Sequence, residues 1–176
     1  MEEPKGLRQV LRPALPAMLD FDGEFTHKID KKGRLFMPSS LLEEIKEKAD
    51  QGHFRVMANR AEGCFDLYTE SEYEVFRRSA LGKEKTARGA RLLRRYLGAN
   101  TRKVKVDSQN RVLLPEELRS RITLEGEVMI VGCGTYIEIW DPKVYEIRAL
   151  PEADHYYGAE ADELRNPDYV PEEGEQ

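Results

Sequence analysis

The chain has 176 residues, 35% charged and 9% aromatic, which suits one compact domain or two small intertwined ones with tails. No apolar run approaches a membrane span, and Arg8, Arg12, Pro13 and Pro16 make the N-terminus a poor secretory signal. The net charge of −5 is unevenly spread: nine acidic residues and one arginine from Leu150 onward give −8 and leave +3 over residues 1–149, so nucleic acid is not excluded as a partner.

Residues 1–17 have no periodicity and read as a flexible N-terminal arm; Met18–Phe25 would make a natural start. Phe25, His27 and Ile29 then alternate with polar residues, which is strand spacing. Asp30-Lys31-Lys32-Gly33 reads as a hairpin turn, because Asp bonds the backbone two residues on and Gly33 accepts a positive φ. Leu35–Met37 form the return strand, and Pro38 ends it since proline cannot donate to a ladder. Ser40 with Glu43 predicts a capping box opening a short helix through Ile45. Phe54–Ala58 and Cys64–Tyr68 predict a strand pair turning at Glu62-Gly63. Thr69 and Glu72 predict a second capping box and a helix toward Arg78. A longer helix is predicted from Lys83 to Leu97, stopped by Gly98, with an apolar stripe at Ala90, Leu93 and Leu97 and basic neighbours Arg88, Arg91, Arg94 and Arg95.

The next segment repeats the first. Val104-Lys105-Val106-Asp107-Ser108-Gln109-Asn110-Arg111-Val112-Leu113-Leu114-Pro115 aligns with residues 27–38, keeping lysine, aspartate, arginine and proline in register. Asn110 replaces Gly33, and Asn is the next most tolerant residue at φ > 0. Leu118 and Ile122 match Leu41 and Ile45, and Val128, Trp140 and Tyr145 match Val56, Tyr68 and Tyr73. Such a repeat makes the fold one unit used twice, about a pseudo-twofold axis. Gly132-Cys133-Gly134 lacks a third glycine and a following helix, so it reads as a hairpin turn and not a dinucleotide fingerprint. Past Leu150 the chain is acidic, with a short helix near 159–164 and disorder elsewhere.

The expected organisation is an arm (1–17), a first half (18–81), an arginine-rich connecting helix (82–100), a second half (101–149) and an acidic tail (150–176), in an α+β, mainly β fold. No catalytic constellation appears among the scattered His27, His53 and His155, and no cofactor or metal site is expected. Cys64 and Cys133 are outside C-x-x-C spacing and read as reduced, buried thiols. Lys28, Lys31, Lys32, Lys103 and Lys105 flank the two turns, where they would neutralise phosphates, and Arg102 is a candidate to join them.

Two D-x-x-x-R turns, each after an alternating strand and before an apolar-Pro-helix segment, give the chain a resemblance to the MraZ family of bacterial transcription regulators, which carry tandem AbrB/SpoVT-like domains. The resemblance covers roughly residues 18–149. It includes Gly23-Glu24-Phe25-Thr26-His27, Asp30–Leu35, Arg94-Arg95-Tyr96-Leu97-Gly98 and Ile137-Glu138-Ile139-Trp140. It implies a swapped-hairpin β-barrel built from both halves with helices outside, ring-shaped homo-oligomers, and binding to short G-rich direct repeats upstream of a cell-division and cell-wall operon. The protein would then be cytoplasmic and nucleoid-associated. The family's motif arginine corresponds to Arg34, with Arg111 as its partner. Asp30, Gly33, Asp107 and Asn110 would organise the turns. The second motif departs from the first at Ser108-Gln109-Asn110, so it is expected either to bind DNA weakly or to serve mainly structure. Two alternatives stay open: action through protein contacts, such as with a neighbouring RNA methyltransferase on the arginine-rich helix, or an antitoxin-like role.

Overall fold

A computed structural model describes residues 19–48 and 52–164. The expected arm 1–17 and the last part of the tail lie outside the described residues. In chain order the elements are β1 (Glu24–Lys28), β2 (Arg34–Phe36), α1 (Ser39–Lys48), β3 (His53–Asn59), β4 (Cys64–Thr69), α2 (Glu70–Gly82) and α3 (Ala87–Asn100). There follow β5 (Thr101–Lys105), β6 (Arg111–Leu113), α4 (Glu116–Arg119), β7 (Glu127–Cys133), β8 (Tyr136–Trp140), α5 (Pro142–Val144), a π-helical turn (Tyr145–Ala149) and α6 (Leu150–Leu164).

The repeat is visible in how the strands exchange partners. The large antiparallel sheet has the order β1-β7-β8-β4-β3-β5. The first strand of each half therefore pairs with the other half: β1 with β7, from Glu24↔Val131 to Lys28↔Glu127, and β5 with β3, from Met57↔Thr101 to His53↔Lys105. β4 and β8 form the ladder between the halves, with Asp66 opposite Glu138. The two return strands pair with each other as a separate ribbon, β2-β6. Single bridges, Ile29↔Leu35 and Val106↔Val112, join the ribbon to both edges of the large sheet. The barrel thus consists of two sheets meeting at the hairpin bases and not one continuous ladder.

Strand alternation sends one face inward. Phe54, Val56, Phe65, Leu67, Val128, Ile130, Ile137 and Ile139 meet Leu35, Val112 and Leu114 from the ribbon side. Leu41, Leu42 and Ile45 of α1 and Leu118 of α4 are buried in the same cluster, so these two helices fill the core while the others cover the sheet from outside. Neither half could enclose such a core alone, which is the physical reason for the exchange.

Several helix ends differ from expectation. α1 begins at Ser39, so Ser40 lies inside the helix and not at its cap. Thr69 does cap α2, accepting the Glu72 N–H at 3.3 Å. The long helix starts at Ala87 and not Lys83. Thr86, in an extended conformation, accepts the Gly89 N–H at 2.9 Å and makes a stronger stop–start signal than the lysine-rich stretch before it. Gly98 does not end α3. Asn100 donates to the Tyr96 carbonyl at 2.8 Å, and Arg102 Nη1 donates to the Gly98 and Ala99 carbonyls, so the last turn is satisfied without a glycine cap. The stripe Ala90, Leu93 and Leu97 faces inward as spaced.

The beginning of the acidic tail is also more ordered than its composition suggests. Asp141 accepts the N–H groups of Lys143 and Val144, and helix runs from Pro142 to Leu164. The π turn ends two residues before Pro151, whose missing N–H cannot serve a regular i→i−4 ladder. Tyr145, Ala149 and Leu150 anchor this helix on Cys64 and Trp140.

Candidate nucleic-acid interface

The outward face of the β2-β6 ribbon is small and chemically distinct. Leu35 and Val112 are fully buried, so their neighbours must point to solvent. Arg34 stands opposite Leu113, and Phe36 opposite Arg111. Phe36 is 51% exposed and Leu113 50%. Two arginines and two apolar side chains thus share one face, related by the pseudo-twofold axis. Sequence reading singled out the arginines but missed Phe36 and Leu113; their alternation with Leu35 and Val112 was the available signal.

Each turn is built by its aspartate. Asp30 accepts from the backbone N–H of Lys32 and of Arg34, both at 2.9 Å, and from Arg34 Nε at 2.6 Å. The Gly33 N–H closes the turn on the Asp30 carbonyl at 2.8 Å. Asp107 repeats the pattern: Gln109 N–H at 2.8 Å, Arg111 N–H at 3.0 Å and Arg111 Nε at 2.9 Å. Gly33 has φ +84° and Asn110 φ +59°, the positive values the sequence required. Both carboxyls are held below the usual carboxylate range. For Asp30 the backbone N–H of Arg34 is the main cause; for Asp107 it is the Arg111 side chain. Each aspartate therefore orders its turn and fixes its arginine at once.

The two arginines are not equally available. Asp30 engages Arg34 through Nε, leaving both Nη groups without a protein partner among the described residues. Asp107 takes both Nε and Nη2 of Arg111, the latter at 2.8 Å, and the Arg111 guanidinium also lies 5.8 Å from the centre of the Phe36 ring. A two-pronged contact with a guanine edge is open to Arg34, whereas at Arg111 it would break an existing pair.

The lysines separate into groups. Lys31 and Lys32 are exposed on the first turn itself. Lys28 and Lys105 are exposed at the ends of the strands leading into the turns. Lys103 is drawn to Glu70 of α2 at 3.3 Å. Arg102 is tied to Glu117 at 3.0 Å and to helix-end carbonyls. His27 is half-buried on the inward face of β1. Cys64 and Cys133 are free thiols; burial pushes Cys64 strongly up and Cys133 up to about 12. On α3, Arg88, Arg91, Arg94 and Arg95 are all exposed, with Leu92 and Tyr96 among them.

Two Asp–Arg turns on one ribbon, with the hairpins exchanged between halves, define an AbrB-like protein that carries both motif copies in a single chain. Comparison with known proteins narrows this further. A family model described as "MraZ protein, putative antitoxin-like" matches residues 21–95 and again 97–152. A protein of Mycoplasmoides gallisepticum named transcriptional regulator MraZ is 36% identical over 126 residues, covering 72% of this chain and 84% of that protein. Proteins of the same name from Heliobacterium modesticaldum and Thermomicrobium roseum are each 35% identical, over 68% and 73% of this chain and 80% and 87% of their own lengths. The chain belongs to the MraZ family.

Proposed function

We propose that the chain is a sequence-specific DNA-binding transcriptional regulator that reads guanine through Arg34 on the β2-β6 ribbon. The observation carrying this reading is the geometry of Arg34: a guanidinium fixed at Nε by Asp30, with its two Nη groups free and aimed from an exposed ribbon face. A two-stranded ribbon fits the major groove, and an arginine fork matches the O6 and N7 acceptors of guanine. Phe36 and Leu113 offer apolar surface suited to thymine methyl groups on the same face. Lys28, Lys31, Lys32, Lys105 and, through the second turn, Arg111 add phosphate contacts that position without reading. Lys103, spent on Glu70, contributes less.

One such face binds weakly. Residues 18–81 and 101–149 form the two halves of one reading unit, and a homo-oligomeric ring lets several units engage G-rich direct repeats in the promoter of the chain's own operon. Linked binding raises affinity by roughly 10²–10⁴ without new contacts. The relatives' name, transcriptional regulator, supports this reading and no enzymatic one. The protein would act in the cytoplasm, at the nucleoid.

The test is a fluorescence titration of the chain's own upstream DNA against random duplex. Arg34→Ala is expected to lose about 1–3 kcal/mol of preference per reading unit, roughly 5- to 150-fold, with oligomer mass unchanged in light scattering. Arg111→Ala is expected to cost less, because its fork is already held by Asp107. A mutant that retains full preference, or that falls to monomer, overturns the assignment of Arg34 as the reading residue.

The exposed row Arg88, Arg91, Arg94 and Arg95, flanking Leu92 and Tyr96, favours a second reading in which an acidic protein partner docks on α3. Capture of a partner that survives Arg34→Ala but not charge reversal along this row would support it.

A further inference from the structure

The two turns differ in one neighbour that neither motif contains. Arg119 belongs to the second half, at the end of α4, yet its guanidinium lies on the turn of the first half. Its Nε donates to the Leu114 carbonyl at 3.1 Å, and the Leu114 N–H donates to the Gly33 carbonyl at 2.8 Å. A Cβ on Gly33 would stand 2.6 Å from Arg119 Nε, 2.9 Å from its Cζ and 2.8 Å from the Leu114 carbonyl oxygen that Arg119 binds. Gly33 is accordingly buried, whereas its counterpart Asn110 is exposed.

The repeat puts Leu42 where the second half has Arg119, and Leu42 is a core residue at 4% exposure. The extra cation therefore reaches only the first turn. There, Lys31 and Arg119 line two adjoining depressions of about 310 and 360 Å³. Glu125 edges both, and Asp30 and Glu116 one each, but among the described residues no carboxylate pairs with Arg119, and its Nη groups have no protein partner.

We propose that Arg119 is a further DNA-binding residue, a phosphate contact delivered by the second half to the first turn, where Gly33 leaves room for it. The proposal rests on the β2-β6 ribbon being the DNA face. Arg119 sits beside the turn and not on the reading face, so it meets backbone and not base edges. A planar fork with two free Nη groups suits a phosphate. The first turn then gathers Lys31, Lys32, Arg34 and Arg119 around one aspartate, and the second presents Arg111 alone. This asymmetry orients the pseudo-symmetric ribbon on DNA, with the first turn inward.

The test titrates full-length wild type, Arg119→Gln, Arg119→Lys, Gly33→Asn and Arg34→Ala with upstream and random duplex across a salt series. Losing one phosphate contact lowers the slope of log K against log[salt] by about 1, so Arg119→Gln should bind both DNAs roughly tenfold more weakly at low salt, with the preference between them kept. Arg119→Lys should restore the slope. Gly33→Asn copies the second turn, whose Asn110 tolerates the left-handed backbone, but its Cβ overlaps both Arg119 and the Leu114 carbonyl, so it should lose at least as much slope as Arg119→Gln. An unchanged slope in Arg119→Gln, or an Arg119→Lys that fails to restore it, overturns the proposal. So does a wild type that shows no salt-dependent binding, which removes the DNA reading as well. If Arg34→Ala keeps its preference while Arg119→Gln loses slope, the reading residue is wrong and the phosphate contact stands.

Discussion

Gly132→Ala is expected to lower the melting temperature by roughly 6–12 °C. The glycine lies in β7 under the segment that leads into β1. A Cβ there would sit 2.5 Å from the Asp22 backbone nitrogen and 2.6 Å from the Phe21 carbonyl carbon. Both are main-chain atoms, so no rotamer change relieves the overlap. The segment must lift, and with it go the paired bonds between Phe21 and Gly134 at 2.7 and 2.8 Å and the Gly132 N–H to Gly23 carbonyl bond at 2.9 Å. Phe21 is only 2% exposed, wedged into the central core beside Leu19. Losing most of that burial costs about 3 kcal/mol, which for a chain this size converts to the stated shift. Gly134→Ala provides the comparison. Its φ is +68° with open space around it, so only backbone strain of about 1–2 kcal/mol applies. Thermal unfolding followed by circular dichroism separates them; equal melting temperatures would show that the segment yields freely.

That pair of glycines also shows what sequence can and cannot reveal. Gly132-Cys133-Gly134 reads as a turn, and Gly134 is one. Gly132 has a different duty, close approach of a distant backbone, which no local pattern announces. The same division runs through the molecule. The repeat, the alternation and the Asp-x-x-x-Arg spacing made both turns and their positive φ values at Gly33 and Asn110 legible in advance, because those are local geometries. The exchange of β1 and β5 between halves followed from the resemblance and not from periodicity, since strand spacing says nothing about partners. Helix ends were misjudged where a side chain from elsewhere satisfied the last turn, as Arg102 does for α3. The tail composition pointed to a short helix near 159–164 and disorder elsewhere past Leu150, yet anchors at Tyr145 and Leu150 on Trp140 carry continuous helix through Leu164. Arg119 was invisible as a neighbour of Gly33 because the contact crosses 86 residues of chain.

The half-to-half ladder contains a group that should make the fold more stable in mild acid than at neutral pH. Asp66 on β4 is 3% exposed and stands opposite Glu138 on β8. Its oxygens accept from the Cys64 thiol at 3.4 Å and from Asn59 Nδ2 at 3.2 Å, two weak donors for a buried carboxylate. Oxygens of Asp66 and Glu138 and the Cys64 sulfur all lie within 4.8 Å of one another. Burial first, and then the charges of Glu138 and Glu62, push the Asp66 carboxyl up to about 7 against the two hydrogen bonds that lower it. An unfolded aspartate titrates near 3.9. Between about pH 4 and pH 7 the folded chain holds a proton that the unfolded chain has released, so stability falls as pH rises through this window and levels off above it. Three units of separation correspond to about 4 kcal/mol, the upper end of what this residue withholds at pH 8. Asp66→Asn keeps the shape and the Asn59 contact without the charge. It is expected to unfold at higher urea than wild type at pH 8, and to lose the slope that wild type shows between pH 4 and 7. Glu138→Gln should pull in the upper end of that window by removing the facing charge, but leave most of it, because burial is the larger cause. A variant Asp66→Asn with the wild-type pH profile would mean the proton resides elsewhere on the ladder. β4 and β8 form one of the ladders that join the two halves, so ionised Asp66 loosens that seam and mild acid should tighten it.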